Sequence, residues 1–403
     1  MLLICAILTI FFALILKYLT RSFFHPSVIV GLAWGITLLL YLVVEHPLWR
    51  LSPEFLNVFT FWVIPFMVVS YTVSYHPNHI AYSTNNLSYN SKLFNILFPY
   101  VVILSILLIV LLIHYSGGVG ENLRTFMLEK NKYPLIIRIL IAINTFTIIY
   151  SLYALLHYDK VGKKRVILLI TLLILISFLK SAKGAIFRIF IGIVFILYRR
   201  QSINKSKLIL STIILVILLI LVTVFRNDST AQQDDAFIKY LYIYILSPIT
   251  ALDLLINQEV NPIIGTNGSA SFPFLFTVLN IFGLDYTFTE NPGWVTVPVF
   301  TNAYTAIWGF YSDFNWVGVF IFSIIMGWVW GIVYRLQQAG NQIALLFYSA
   351  TCFSLIFQAF GDFFIESFSM DIQMLIYCII LSNGVKISPI NKNSNFPQLN
   401  NFK

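Results

Sequence analysis

The chain has 403 residues, of which 59% are apolar and only 10% charged, and its net charge is +9. With a mean hydropathy of +0.85, this make-up excludes an ordinary soluble globular protein and describes an integral membrane protein. The surplus cations are scattered among short loops and build no domain of their own, so they orient the chain in a lipid bilayer and make no case for nucleic acid as a partner.

A helix needs about 20 apolar residues to cross the hydrocarbon core. The apolar runs predict spans near 1–16, 28–44, 57–73, 93–113, 134–157, 166–179, 185–198, 208–225, 315–334, 342–360 and 363–382, about eleven in all. The expected fold class is therefore all-α, a polytopic membrane protein. The first run lacks a basic start and a small-residue cleavage site, so it is expected to stay as a span instead of being removed as a signal peptide. Cys5, Cys352 and Cys378 all lie in apolar runs, where they suit small hydrophobes and give no disulfide framework.

Two loops fix the expected topology. Residues 159–165 hold Lys160, Lys163, Lys164 and Arg165, and residues 198–207 hold Arg199, Arg200, Lys205 and Lys207, so both loops belong in the cytoplasm. An even number of crossings must separate them, which requires a hairpin within 166–198 and an outer turn at 180–184. The rival is one helix of about 33 residues, roughly 50 Å long, carrying three cations through its middle. Propagated along the chain, the hairpin puts the amino terminus outside and the carboxyl terminus, with Lys386, Lys392 and Lys403, inside.

The organisation that follows has eight spans over 1–225, an outer segment over 226–314, three spans over 315–382 and a disordered cytoplasmic tail over 383–403. Within the outer segment, residues 236–256 are apolar, but Lys239, Pro248 and Asp253 favour an interfacial or re-entrant helix. A true span there would invert everything downstream. No internal repeat of the transporter kind is visible.

Function is sought first in Lys180, Lys183 and Arg188, cations on the disfavoured outer side. Their flanking runs hold about 14 apolar residues each, too few to span in full, which sets the turn at phosphate depth. There lysines donate to phosphate oxygens, and an arginine can make a bidentate contact; the alternative is snorkelling among lipid head groups. Arg226, at the outer mouth of the eighth span, and Arg124, after Gly117-Gly118-Val119-Gly120, occupy comparable outer positions, although that glycine spacing matches no nucleotide motif. For proton transfer the outer segment offers Asp313, Glu290 and Asp285, carboxylates at a membrane edge where partial desolvation suits a base; ordinary solvated acids are the alternative. The histidines have no metal-ligand spacing, and nucleophile-elbow, Walker and dinucleotide motifs are absent. The 17% of aromatic residues serve either the membrane interface or stacking on sugars.

One stretch is more specific. Residues 297–305 read Val-Pro-Val-Phe-Thr-Asn-Ala-Tyr-Thr, followed by Tyr311-Ser312-Asp313-Phe314 and by Gly318 as a span begins. This resembles the Thr-Asn-x-Tyr-Thr and Asp-Phe-Gly signature of bacterial oligosaccharide repeat-unit polymerases, the Wzy-type O-antigen and capsule polymerases. His25-Pro26-Ser27 before Trp34, Arg124, Ser181-Ala182-Lys183-Gly184, Ser247-Pro248 and residues 268–272 resemble features at similar places in that family. The resemblance thus covers most of the chain through short motifs. One departure is Asn315, where a glycine is common.

The resemblance implies a GT-C-like membrane fold in the inner membrane and a metal-independent glycosyltransferase without cofactor. Its substrate would be undecaprenyl diphosphate-linked oligosaccharide, whose growing glycan passes to the non-reducing end of an incoming repeat unit outside the membrane, with a separate chain-length regulator as protein partner. In those terms Lys180, Lys183, Arg188, Arg226 and Arg124 are expected to hold the donor diphosphate, with Asp313 or Glu290 activating the acceptor hydroxyl. Asn302, Tyr304, Tyr311 and Trp294 are expected to meet the glycan. An O-antigen ligase and a flippase or transporter of the lipid-linked unit are the rivals; a transporter is expected to bury charges within its spans and to show repeat symmetry.

Overall fold

The structure, a computed structural model, describes residues 1–75, 87–118, 122, 123, 126, 133–180, 183–202, 245–259, 267–287, 293–365 and 367–382. The eighth expected span, and with it Arg226, Arg124 and Glu290, lies outside the described residues, as does the side chain of Lys183.

Among the described residues the chain is a bundle of helices: α1 (Leu2–Thr20), α2 (Pro26–Val43), α3 (Pro53–Ser74), α4 (Ser91–Ser116), α5 (Leu135–Leu156), α6 (Tyr158–Val161), α7 (Lys163–Leu179), α8 (Lys183–Arg199), α9 (Ser247–Ile256), α10 (Pro273–Ile281), α11 (Trp308–Gln338), α12 (Gln342–Thr351), α13 (Phe353–Ile356) and α14 (Phe368–Ser382). A two-stranded ribbon, β1 (Val295–Thr296) against β2 (Phe300–Thr301), interrupts them. Seven helical segments here are long and apolar enough to cross a membrane: α1 to α5, α11, and residues 342–359. The chain is an all-α polytopic membrane protein.

Local chemistry sets the helix ends. Arg21 closes α1 in a left-handed conformation with φ 53°, and Gly117 closes α4 with φ 70°, which costs a glycine nothing. His25, Ser52 and Asn90 cap α2, α3 and α4, each side chain accepting a backbone N–H of the first turn. Pro26 and Pro53 follow at the first helical position, where no N–H is missed.

The helices alternate between two ends. At one end, Arg200 Nη2 pairs with Asp159 Oδ2 at 2.7 Å, while Arg199 Nη1 donates to Gln338 Oε1 at 2.9 Å. Arg165 Nη1 reaches Asn95 Oδ1 at 2.7 Å, and His25 Nε2 meets Ser74 Oγ at 2.6 Å. The two basic loops therefore share this basic end. At the far end, Ser52 binds Asp253, Ser247 Oγ donates to Thr301 Oγ1 at 3.2 Å and Ala306 N donates to Gln358 O at 2.8 Å. The break after Leu179 decides between the hairpin and the single long helix, because α7 and α8 pack against each other as two antiparallel helices.

The tightest seam runs between α3 and α11. A Cβ on Gly327 would stand 2.9 Å from Phe66 O, and one on Gly331 would stand 3.0 Å from Ser70 O, so these glycines let two backbones approach. Ser323 Oγ donates to Trp62 O across the same seam. Trp34, Trp62, Trp330 and Tyr348 fill the interior around it, while Tyr150 stacks on Phe94 between α4 and α5.

Helix α9 is about 15 Å long at 1.5 Å per residue, too short to span. Every one of its residues is buried, which fits a re-entrant helix laid into the bundle. Asp253 makes this possible: its carboxylate accepts Ser52 N at 2.9 Å and the Ser52 hydroxyl, with Asn257 Nδ2 at 3.2 Å. It thereby caps the start of α3, where the helix dipole favours a negative charge. Burial nevertheless raises the Asp253 carboxyl above its ordinary value, with the Ser52 hydrogen bonds opposing.

A candidate active site at the far end

The cationic hairpin closes at this end. Lys180 ends α7 with some exposure remaining, yet it is packed closely enough that burial pulls its ammonium down to about 8. Arg188, one turn into α8, is buried. Its guanidinium lies 4.4 Å from the centre of the Phe353 ring and its Nη1 meets Met370 Sδ at 3.0 Å. The open bidentate fork expected from sequence is thus seated on an aromatic face and a thioether.

Across from it stands a carboxylate that the sequence reading passed over. Asp371, on α14, is only 3% exposed, and among the described residues neither of its oxygens has a hydrogen-bond partner. It lies within electrostatic reach of Arg188 and of Asp362, yet no ion pair closes with Arg188. Asp362, in the turn before α14, accepts Phe364 N at 3.1 Å and Ile365 N at 2.8 Å, both at Oδ1. Two signals pointed to these residues: an acid inside the apolar run 368–382, and a Gly-Asp pair between two spans.

The short motifs of the resemblance converge nearby. Thr301 Oγ1 accepts both Ser247 Oγ and Ala303 N at 3.2 Å. Asp313 Oδ2 accepts Ser271 N at 2.7 Å, tying the turn over 267–271 to the first turns of α11. Gly309 permits that contact, since a Cβ there would meet Ala270 O at 2.7 Å. Asn315 kinks α11 at φ 54°, ψ −157°, a backbone that glycine adopts without strain. A Cβ on Gly318 would fall 2.4 Å from Phe314 Cβ, so the kink demands glycine there.

The remaining expected glycan residues divide by exposure. Tyr304 is 3% exposed and packs its ring 6.2 Å from Trp308, while Tyr311 Oη donates to Ile256 O at 3.4 Å. Asn302 is exposed. Trp294, 61% exposed, stacks on Phe300 at 4.6 Å and 7°, a flat aromatic pair facing outward.

A cleft joins the two groups. It is a small cavity of about 10 Å³, lined by Trp62, Phe310, Ala306, Gln358, Asp362 and Phe363 among others. Gln358 Oε1 is held in place by the indole N–H groups of Trp62 at 3.0 Å and Trp34 at 3.4 Å. The motif stretch and the Asp362 turn therefore share one space, fixed by the Ala306–Gln358 backbone bond. Compared with known proteins, the chain matches no family model, no curated protein and no solved structure.

Proposed function

We propose that the chain is an oligosaccharide repeat-unit polymerase of the Wzy type. It transfers a growing glycan from undecaprenyl diphosphate to the non-reducing end of a lipid-linked repeat unit, outside the inner membrane. On this reading the fold is GT-C-like with about eleven spans. The basic end faces the cytoplasm, leaving the amino terminus periplasmic and the carboxyl terminus cytoplasmic. The observation that carries the proposal is that the resembling motifs pair with one another: Ser247 bonds Thr301, and Ser271 bonds Asp313, both at the end away from the basic loops.

Lys180 and Lys183 would receive the donor diphosphate at the turn, with Arg124 and Arg226 as further clamps. Arg188, behind them and shielded from water, adds positive potential that low dielectric strengthens. Trp294 and Asn302 offer the glycan an aromatic face and a polar edge. A chain-length regulator would act as the protein partner.

The test is deletion of the gene followed by gel analysis of the glycan. Glycans capped at one repeat support polymerisation. Complete loss of glycan points to the ligase or flippase, and unchanged long ladders reject the polymerase.

A further inference from the structure

We propose that the turn after α10 is a membrane anchor: the side chains of Ile281, Phe282 and Leu284 insert into the lipid leaflet at the far end, beside the spans. This anchor is independent of the polymerase reading and holds the segment before α11 against the bilayer.

Ile281 is 77% exposed, Phe282 79% and Leu284 45%, whereas within α10 only Phe276 is buried. The helix has nine residues, about 14 Å at 1.5 Å per residue, and cannot cross the hydrocarbon core itself. Large apolar side chains held out in water at the tip of a turn are unfavourable, and insertion into lipid removes that cost.

The backbone of the turn suits an apolar medium. Gly283, at φ 87°, closes α10: Gly283 N donates to Asn280 O at 3.1 Å and Leu284 N to Leu279 O at 3.3 Å, the paired bonds of a glycine-closed helix end. Phe282 N donates to Leu279 O at 3.0 Å. Asn280 clamps the other side of the turn, its Nδ2 donating to Tyr286 O at 2.9 Å and its Oδ1 accepting Tyr286 N at 2.8 Å, while the Tyr286 ring stands edge-on to Phe276 at 5.5 Å. The N–H groups of Phe282, Gly283, Leu284 and Tyr286 therefore all find partners within α10 and its turn, as a segment entering hydrocarbon requires.

Place and charge select lipid as the occupant. Phe272, just before α10, packs its ring 5.3 Å from Phe322, which lies about 10 Å along α11 from the Asn315 kink. The base of α10 thus stands alongside α11 instead of above it. A Cβ on Gly268 would be 3.8 Å from ring atoms of both Phe276 and Phe314, and Phe314, Trp316 and Val317 continue an exposed apolar surface along α11, the kind of surface a membrane span turns to lipid. No Lys or Arg occurs between Lys239 and Arg335, so acidic headgroups or an acidic protein find no cation here and the attachment is apolar.

The test uses the full chain in liposomes, with a nitroxide label on Phe282→Cys in a Cys5→Ser background, where Cys352 and Cys378 are buried; the background without Phe282→Cys supplies the blank. Collisions with oxygen, which concentrates in lipid, are compared with collisions with a water-soluble nickel chelate. The expected result in phosphatidylcholine is oxygen contact exceeding nickel contact at Phe282→Cys, and the reverse at Thr287→Cys, an exposed position beyond the Asn280 clamp. Added phosphatidylglycerol or salt should leave this unchanged. Leu284→Cys should repeat the Phe282→Cys result, and it takes the place of that variant should Phe282→Cys fail to accumulate. Nickel contact as high at Phe282→Cys as at Thr287→Cys puts the tip in water and overturns the proposal. Low contact with both reagents means that a second copy or another protein covers the tip, which overturns it as well, as does an oxygen preference that appears only with phosphatidylglycerol.

Discussion

Replacing Arg188 isolates the electrostatics of the far end. The guanidinium is buried, lies over Phe353 and touches Met370, so Arg188→Ala removes a desolvated ring contact of about 2 kcal/mol along with the packing of its stem. Arg188→Met keeps much of that packing and removes mainly the charge, which leaves Asp371 buried with no cation near it among the described residues. No direct ion pair forms, so the lost attraction is below the roughly 4 kcal/mol of a 4 Å contact at an effective dielectric near 20. We expect Arg188→Met to destabilise by about 2 kcal/mol. Adding Asp371→Asn removes the stranded charge and should restore at least about 1 kcal/mol, because replacing both members of a buried pair is far less costly than removing one. The assay is a double-mutant cycle on unfolding midpoints in mixed micelles, with single and double variants measured at one protein concentration. Additive effects, within about 0.5 kcal/mol, would refute the coupling. The outcome also bears on the glycan assay, since truncation of Arg188 is then expected to lower protein level and has to be read beside Arg188→Met.

Three further outcomes are expected. Gly318→Ala forces a Cβ to 2.4 Å from Phe314 Cβ and 2.8 Å from Phe310 O, which should cost about 2 to 3 kcal/mol through overpacking; Gly293→Ala, with nothing within 4 Å of the new Cβ, is the neutral control in the same unfolding assay. Trp294→Ala breaks an exposed stacked pair, so stability should fall by no more than about 1 kcal/mol while glycan chains shorten on gels; unchanged chain length removes Trp294 from the glycan path. The Asp362 carboxyl, raised to about 6 in the folded chain from about 3.9 unfolded, binds its proton more tightly when folded. Its contribution is fully present below about pH 4 and is lost as pH rises through about 6. The wild-type midpoint should therefore fall over that range by an amount that Asp362→Asn abolishes, and an equal slope in both proteins would contradict it.

Hydropathy made the long helices legible because a membrane span must be apolar over its whole length. The expected spans at 57–73 and 93–113 appear as Pro53–Ser74 and Ser91–Ser116, extended at their starts by the Ser52 and Asn90 caps. Charge made the hairpin legible: a cytoplasmic assignment for two basic loops required a turn between them, and Arg200 and Asp159 meet where that argument brings the loops together. Exposure was not legible in the same way. Tyr304 and Trp294 are both aromatic residues of the segment before α11, and only packing separates the buried one from the open one.

The acids show why the site itself was hard to read. Sequence ranks a carboxylate by its place beside a span, and on that scale Asp313 stands out, whereas Asp362 and Asp371 look like a turn residue and an accident within an apolar run. The fold gives these acids different structural duties. A carboxylate at the start of a kinked helix is needed to satisfy a neighbouring backbone N–H, and Asp313 does so for Ser271. A carboxylate buried without such a duty is costly. Asp362 carries such a duty for Phe364 N and Ile365 N, whereas Asp371 has neither oxygen bonded among the described residues, so Asp371 is the acid whose burial no hydrogen bond offsets. Its place within electrostatic reach of Arg188 supplies the partial compensation that a buried carboxylate requires.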